Sequence, residues 1–134
     1  MRTAVLIAAV LLGACTQSAT PGSQSADVAL DVAPDTVAAR DSVTLTLSNG
    51  SAAAIGYNLC TSGLERQSGG AWQAVPEDRV CTMELRTLEP GAQARFSLRL
   101  PPGLAPGDYR YHTTVEMLDT GTRRDLRSGT LRVR

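Results

Sequence analysis

From residue 27 onward, apolar and polar positions alternate with a period of two. Val28, Leu30 and Val32 alternate with Ala29 and Asp31, and Val43, Leu45 and Leu47 with Thr44, Thr46 and Ser48. Phe96, Leu98 and Leu100 are interleaved with Arg95, Ser97 and Arg99. Tyr109, Tyr111, Thr113, Val115 and Met117 alternate with Arg110, His112, Thr114 and Glu116, and Leu131 and Val133 with Arg132 and Arg134. Successive side chains of a strand point to opposite faces, so this pattern predicts strands with one dry and one wet face. Weaker strand candidates lie at 55–60, 63–67 and 71–75. Between the strands sit turn signals: Pro34-Asp35, Asn49-Gly50, Ser68-Gly69-Gly70, Pro90-Gly91, Pro101-Pro102-Gly103, Pro106-Gly107 and Gly121. No segment has a helical period. About seven to eight short strands separated by turns predict an all-β fold, an antiparallel two-sheet sandwich over residues 27–134.

The first 26 residues follow another rule. Arg2 precedes an apolar run, AVLIAAVLL, at residues 4–12, and small residues Gly13 and Ala14 follow. This is the layout of a secretory signal. The run is too short to cross a bilayer, which takes about 20 apolar residues. Residues 16–26, TQSATPGSQSA, have no apolar period and read as a flexible tether. Residues 1–14 are thus expected to be a signal peptide, 15–26 an anchor and linker, and 27–134 the folded domain.

Leu12-Gly13-Ala14-Cys15 resembles the lipobox of bacterial lipoproteins. The resemblance implies that the Cys15 thiol carries a diacylglycerol and that cleavage leaves Cys15 as the first mature residue. Multiple acyl chains anchor stably where one is marginal. Thr16, in place of Asp, implies export to the outer membrane, with the domain facing the periplasm. The expected membrane partner is therefore reached through the lipid on Cys15. The chain has three cysteines. With Cys15 acylated in an oxidising compartment, Cys60 and Cys81 are expected to form a disulfide. A redox or zinc pair is disfavoured, because their spacing is neither CxxC nor a zinc pattern.

The run SNGSAAAIGYNLC, then LERQSGGAWQAVP, LEPGAQARFSLRL and LAPGDYRY, is similar to a bacterial immunoglobulin-like (Ig-like) domain family. The resemblance covers residues 27 to 117 and implies an Ig-like sandwich in a lipoprotein. Leu64 and Trp72 would then face each other across a hairpin turned at Ser68-Gly69-Gly70. Tyr109 or Tyr111 would follow the Pro106-Gly107 turn and tie down a loop through its hydroxyl. Antibody domains bridge their second and sixth strands, yet no cysteine lies near 43–47 or 111–115, and Trp72 is off the expected core strand. The architecture is therefore Ig-like without being a true immunoglobulin domain. A related Ig-like family, the small Bacillus-type intracellular proteinase inhibitors, has a similar turn layout.

Charge adds little: 13 basic and 13 acidic residues cancel, so no nucleic-acid partner is expected. All the basic residues are Arg, which removes Schiff-base and P-loop chemistry. His112, the one histidine, falls on the outward parity, and there is no G-x-S-x-G nucleophile elbow. A copper site from Met83, Met117 and His112 lacks clustering, and the alternating oxygen ligands of a calcium loop are missing. No catalytic residue, metal or cofactor is expected. Arg95 and Arg99, with Arg132 and Arg134, would form a basic face if their strands share a sheet, and Arg pairs well with phosphate or acidic groups. The sequence thus predicts a non-enzymatic, lipid-anchored binding or structural module whose partner is an envelope protein or glycan. The alternative is a proteinase inhibitor working through an exposed loop.

Overall fold

The computed structural model describes residues 27–134. The signal-like segment, Cys15 and the tether through residue 26 lie outside the described residues. Eleven strands form two sheets. They are β1 (Val28–Ala33), β2 (Thr36–Val37), β3 (Ser42–Asn49), β4 (Ile55–Tyr57), β5 (Gly63–Ser68), β6 (Ala71–Val75), β7 (Arg86–Leu88), β8 (Gln93–Arg99), β9 (Gly107–Met117), β10 (Thr122–Arg127) and β11 (Leu131–Val133). One 3-10 turn, η1 (Leu59–Thr61), separates β4 from β5.

The first sheet has the order β1-β3-β8 and is antiparallel. The second runs β2-β11-β9-β4-β7, with β10 and β5 also on β9 and β6 on β5. The chain passes from the first sheet to the second at the cis Ala33–Pro34 peptide, after which β2 lies parallel to β11. The alternation read from the sequence places its apolar half between the sheets. Val43, Leu45 and Leu47 of β3 are buried, as are Tyr109, Tyr111, Val115 and Met117 of β9 and Leu131 and Val133 of β11. Phe96 of β8 is only half-buried.

Turn chemistry acts where it was expected. Gly69 and Gly70, both with positive φ (58° and 79°), form the two-residue loop of the β5–β6 hairpin, which favours residues without a Cβ. The Tyr that ties down a loop is Tyr109: its hydroxyl donates to the Ala105 carbonyl at 2.6 Å. Asn49 ends β3 fully buried. Its amide donates to the carbonyls of Ala53 (2.9 Å) and Leu88 (3.0 Å) and so pins β7 to the end of the first sheet.

Four expectations are corrected. The strand proposed at 55–60 stops at Tyr57, because Asn58 caps η1 by accepting from the Cys60 N–H at 3.2 Å. Three strands, β2, β7 and β10, have no counterpart in the reading of the pattern. Leu64 does not face Trp72. In the hairpin Leu64 pairs with Val75 and Trp72 with Gln67. The parity of two puts Leu64 in the core and Trp72 on the outer face. Finally, β8 and β11 lie in different sheets, so Arg95 and Arg99 do not share a face with Arg132 and Arg134.

β4, η1 and β5 together line one side of β9. Gly56 pairs with Glu116 and Gly63 with His112, so seven steps on this side answer four on β9. The surplus forms η1, which buries Leu59 in the core beside β8 and carries Cys60.

Candidate functional site

Residues 76–85, PEDRVCTMEL, join β6 to β7 without regular structure. A segment of this length lacking ladder bonds needs other restraints to hold one shape. It has several. Cys81 is disulfide-bonded to Cys60, with the Cα atoms 5.8 Å apart. The Arg79 guanidinium donates to the carbonyls of Cys60 (2.7 Å) and Ser62 (3.0 Å) and pairs with Glu77 at 2.5 Å. The other oxygen of Glu77 accepts from the Leu64 N–H at 3.2 Å. Asn58 donates through its side chain to the Thr82 carbonyl at 2.6 Å. The excursion at η1 thus supplies most of the loop's anchors.

The anchored loop has an inner polar side and an outer apolar one. Burial pushes the Glu77 carboxyl up from its ordinary value, against the pull of Arg79 and the Leu64 N–H. Beneath this pair the Tyr111 phenol is buried, and burial holds it protonated well above the usual tyrosine range. On the outer side Val80 is 100% exposed and Met83 90%, and Leu85 is also exposed. Periodicity did not reveal this surface, since these apolar residues follow no period. The available signal was Cys81 itself, a covalent staple set between Val80 and Met83 in a segment without period.

An open groove of about 590 Å³ separates the loop from β8. Pro76 and Val80 lie on one side of it, and Phe96, Leu98 and Leu100 on the other. A smaller space of about 160 Å³ continues past Phe96 between Arg95 and Thr82.

The remaining candidates fall elsewhere. Arg132 pairs with Asp108 at 3.0 Å. His112 lies on the outer face of β9, with its ring over Gly63, where a Cβ would collide with it. This explains a glycine that makes no turn. Nearby, Arg110 covers the Trp72 ring (4.1 Å to its centroid) and pairs with Glu65 at 2.6 Å. Asn49-Gly50-Ser51 has the form of an N-glycosylation sequon, but the Asn49 amide is buried and donates to two carbonyls. No group of three or more His, Cys, Asp or Glu placed to hold a metal occurs among the described residues. None of the described helices is long and apolar enough to cross a membrane.

Two facing sheets and the Tyr109–Ala105 tie at the start of β9 define an Ig-like β-sandwich domain. The chain belongs to the bacterial Ig-like domain family, which matches residues 24–129. Among curated proteins none matches it. Of solved structures, the structural-genomics target SoR45 shares 13% identity over 79% of this chain and 84% of its own, with a TM-score of 0.57. At that identity the likeness shows the fold alone. The alkylpurine DNA glycosylase AlkC of Pseudomonas fluorescens, bound to DNA, has a TM-score of 0.46 and 18% identity over 81% of this chain and 30% of its own. A ceramidase complexed with C2 also scores 0.46, with 15% identity over 80% of this chain and 18% of its own.

Proposed function

We propose that this protein is a non-enzymatic, lipid-anchored module of the bacterial envelope that binds a partner protein or glycan through the 76–85 loop. One observation carries the binding part: Val80 and Met83 are almost wholly exposed on a loop held by a disulfide and side-chain hydrogen bonds. Exposed apolar groups on an immobile loop lose little ordering entropy when covered, which is the advantage of a preorganised contact surface. The anchoring part rests on the lipobox-like Leu12-Gly13-Ala14-Cys15.

Two measurements test this reading. Cells fed clickable palmitate should label the wild type and not Cys15→Ala; equal labelling removes the anchor. The tagged protein, cross-linked in its own envelope, should capture a partner that a Val80→Ser/Met83→Ser variant loses. Equal capture by both removes the loop.

The same loop supports a second reading, proteinase inhibition. Val80 stands fully exposed between Arg79, which is hydrogen-bonded inward, and the bridged Cys81. An inhibitor would capture a protease and abolish its activity, and Val80→Asp would restore it. A binding module would capture its partner without loss of activity.

A further inference from the structure

β8 is hydrogen-bonded on one side only. The Leu100 N–H donates to the Asp41 carbonyl and the Asn49 N–H to the Ala92 carbonyl, each at 3.0 Å. The register between these points is unbroken. In an antiparallel pair, bonded residues alternate. Ala94, Phe96 and Leu98 therefore aim their backbone groups at β3, while Gln93, Arg95, Ser97 and Arg99 aim theirs away. No strand pairs with β8 on that side, and among the described residues no backbone hydrogen bond joins it to 76–85. In a constant-type Ig sandwich a fourth strand fills this position. Here the segment that leads there stands off across the groove and turns to pair with β4 instead, as β7. That leaves Phe96 half-buried.

We propose that this edge takes an extended segment of a partner protein as a fourth strand, and that the segment carries carboxylates four residues apart. Strand addition to a free edge uses the backbone for affinity and alternate side chains for choice. The choice here comes from Arg95 and Arg99. Both are exposed on the wet face of β8, and neither forms an ion pair among the described residues. Their Cα atoms are about 13 Å apart at a strand's rise of about 3.3 Å per residue. Acidic residues at i and i+4 of the incoming strand meet both, and the residue between them faces Ser97. Its alternate side chains point into the groove, toward Phe96, Pro76 and Val80, and should be apolar.

The arginines also select against other occupants. Charges on an edge strand oppose edge-to-edge pairing. Two copies of β8 paired antiparallel about Ser97 would set Arg95 of one against Arg99 of the other. The chain's own residues 16–26 contain no acidic residue.

The test uses the full chain in detergent and the blocked peptide Thr-Val-Glu-Val-Thr-Val-Glu-Val-Thr, followed by calorimetric titration. Saturable binding is expected. Arg95→Glu/Arg99→Glu should weaken it at least tenfold, and a peptide with Lys in place of both Glu should regain binding to that variant. Ser97→Pro removes one outward N–H, leaves the bonds to β3 intact, and should weaken binding similarly. Met83→Ser should leave it unchanged, which separates this edge from the loop surface. Absence of saturable binding overturns the proposal. So does indifference to both β8 variants, loss on Met83→Ser, or a dimer whose formation the peptide does not oppose.

Discussion

The guanidinium of Arg110 lies 4.1 Å from the centroid of Trp72, and its Nε donates to Glu65 at 2.6 Å. Three neighbouring strands, β6, β5 and β9, are thereby laced together on their wet face. A cation over an indole contributes about 0.5–1 kcal/mol at an exposed site, and a surface ion pair about 0–1 kcal/mol. Arg110→Ala is expected to lower the unfolding free energy by about 1 kcal/mol in urea. Trp72 is the sole tryptophan, so its emission reports the same change. Arg110→Lys keeps the charge but loses the planar stacking and should recover only part of it.

The Cys60–Cys81 bridge spans a sequence separation of 21 residues. Closing a loop of this size stabilises a fold by about 3 kcal/mol in the chain-entropy model. Cys60→Ser with Cys81→Ser should lower the unfolding free energy by that amount, read as a lower denaturant midpoint. Limited proteolysis should then cut within 76–85 first, as read from fragment masses. An unchanged cleavage pattern would show that the Arg79 and Asn58 contacts hold the loop alone.

Asn49→Ala should cost about 1–3 kcal/mol, the cost of a buried group stripped of its partner. It takes the Asn49 donor from the buried Leu88 carbonyl, while the Ser51 hydroxyl still donates to Ala53 at 3.0 Å. Asn49→Asp should be worse at neutral pH, because a carboxylate then faces two carbonyl oxygens, and should recover partly in acid. Chemical denaturation at two pH values separates these outcomes.

The burial of Glu77 sets the sign of a pH dependence. Burial raises its carboxyl above the ordinary value of 4.5, so the folded protein holds this proton more tightly than the unfolded chain. Stability from this group is present below the unfolded value and is lost as pH rises through the folded one. The melting temperature of the wild type relative to Glu77→Gln should therefore rise as pH falls from 7 toward 4.5. A flat or opposite difference would mean that Arg79 outweighs burial.

The sandwich was legible because its central strands are two-faced. In β3 and β9, every second residue is committed to the core, and the pattern records it. The glycine pair of the β5–β6 hairpin and the tyrosine after Pro106-Gly107 were legible from local chemistry. The missed strands lack that imprint. β10, TRRDLR, is almost wholly exposed and owes its form to pairing with β9. β7 is three residues long, held from the side by Asn49 and β4. The placement of Trp72 failed for another reason, since a hairpin's register is fixed by its turn and a single step reverses the face. The candidate loop was the least legible part. Its shape depends on Cys60, Asn58 and Ser62, which are distant in sequence and brought near by the excursion at η1.

The register of β3 gives the domain two poles. Val28 lies opposite Asn49, so whatever precedes Asp27 joins at the Asn49 pole. Ser42 lies opposite Arg99, and the groove opens past Arg99 toward Pro101 and Pro102 at the other. The eight residues of β3 separate the two by about 25 Å. Held from its N-terminal side, as proposed above, such a domain is also a spacer. Arg99, opposite Ser42, is carried at the far end of β3, while Arg95, opposite Thr46, stands about 10 Å from the near pole.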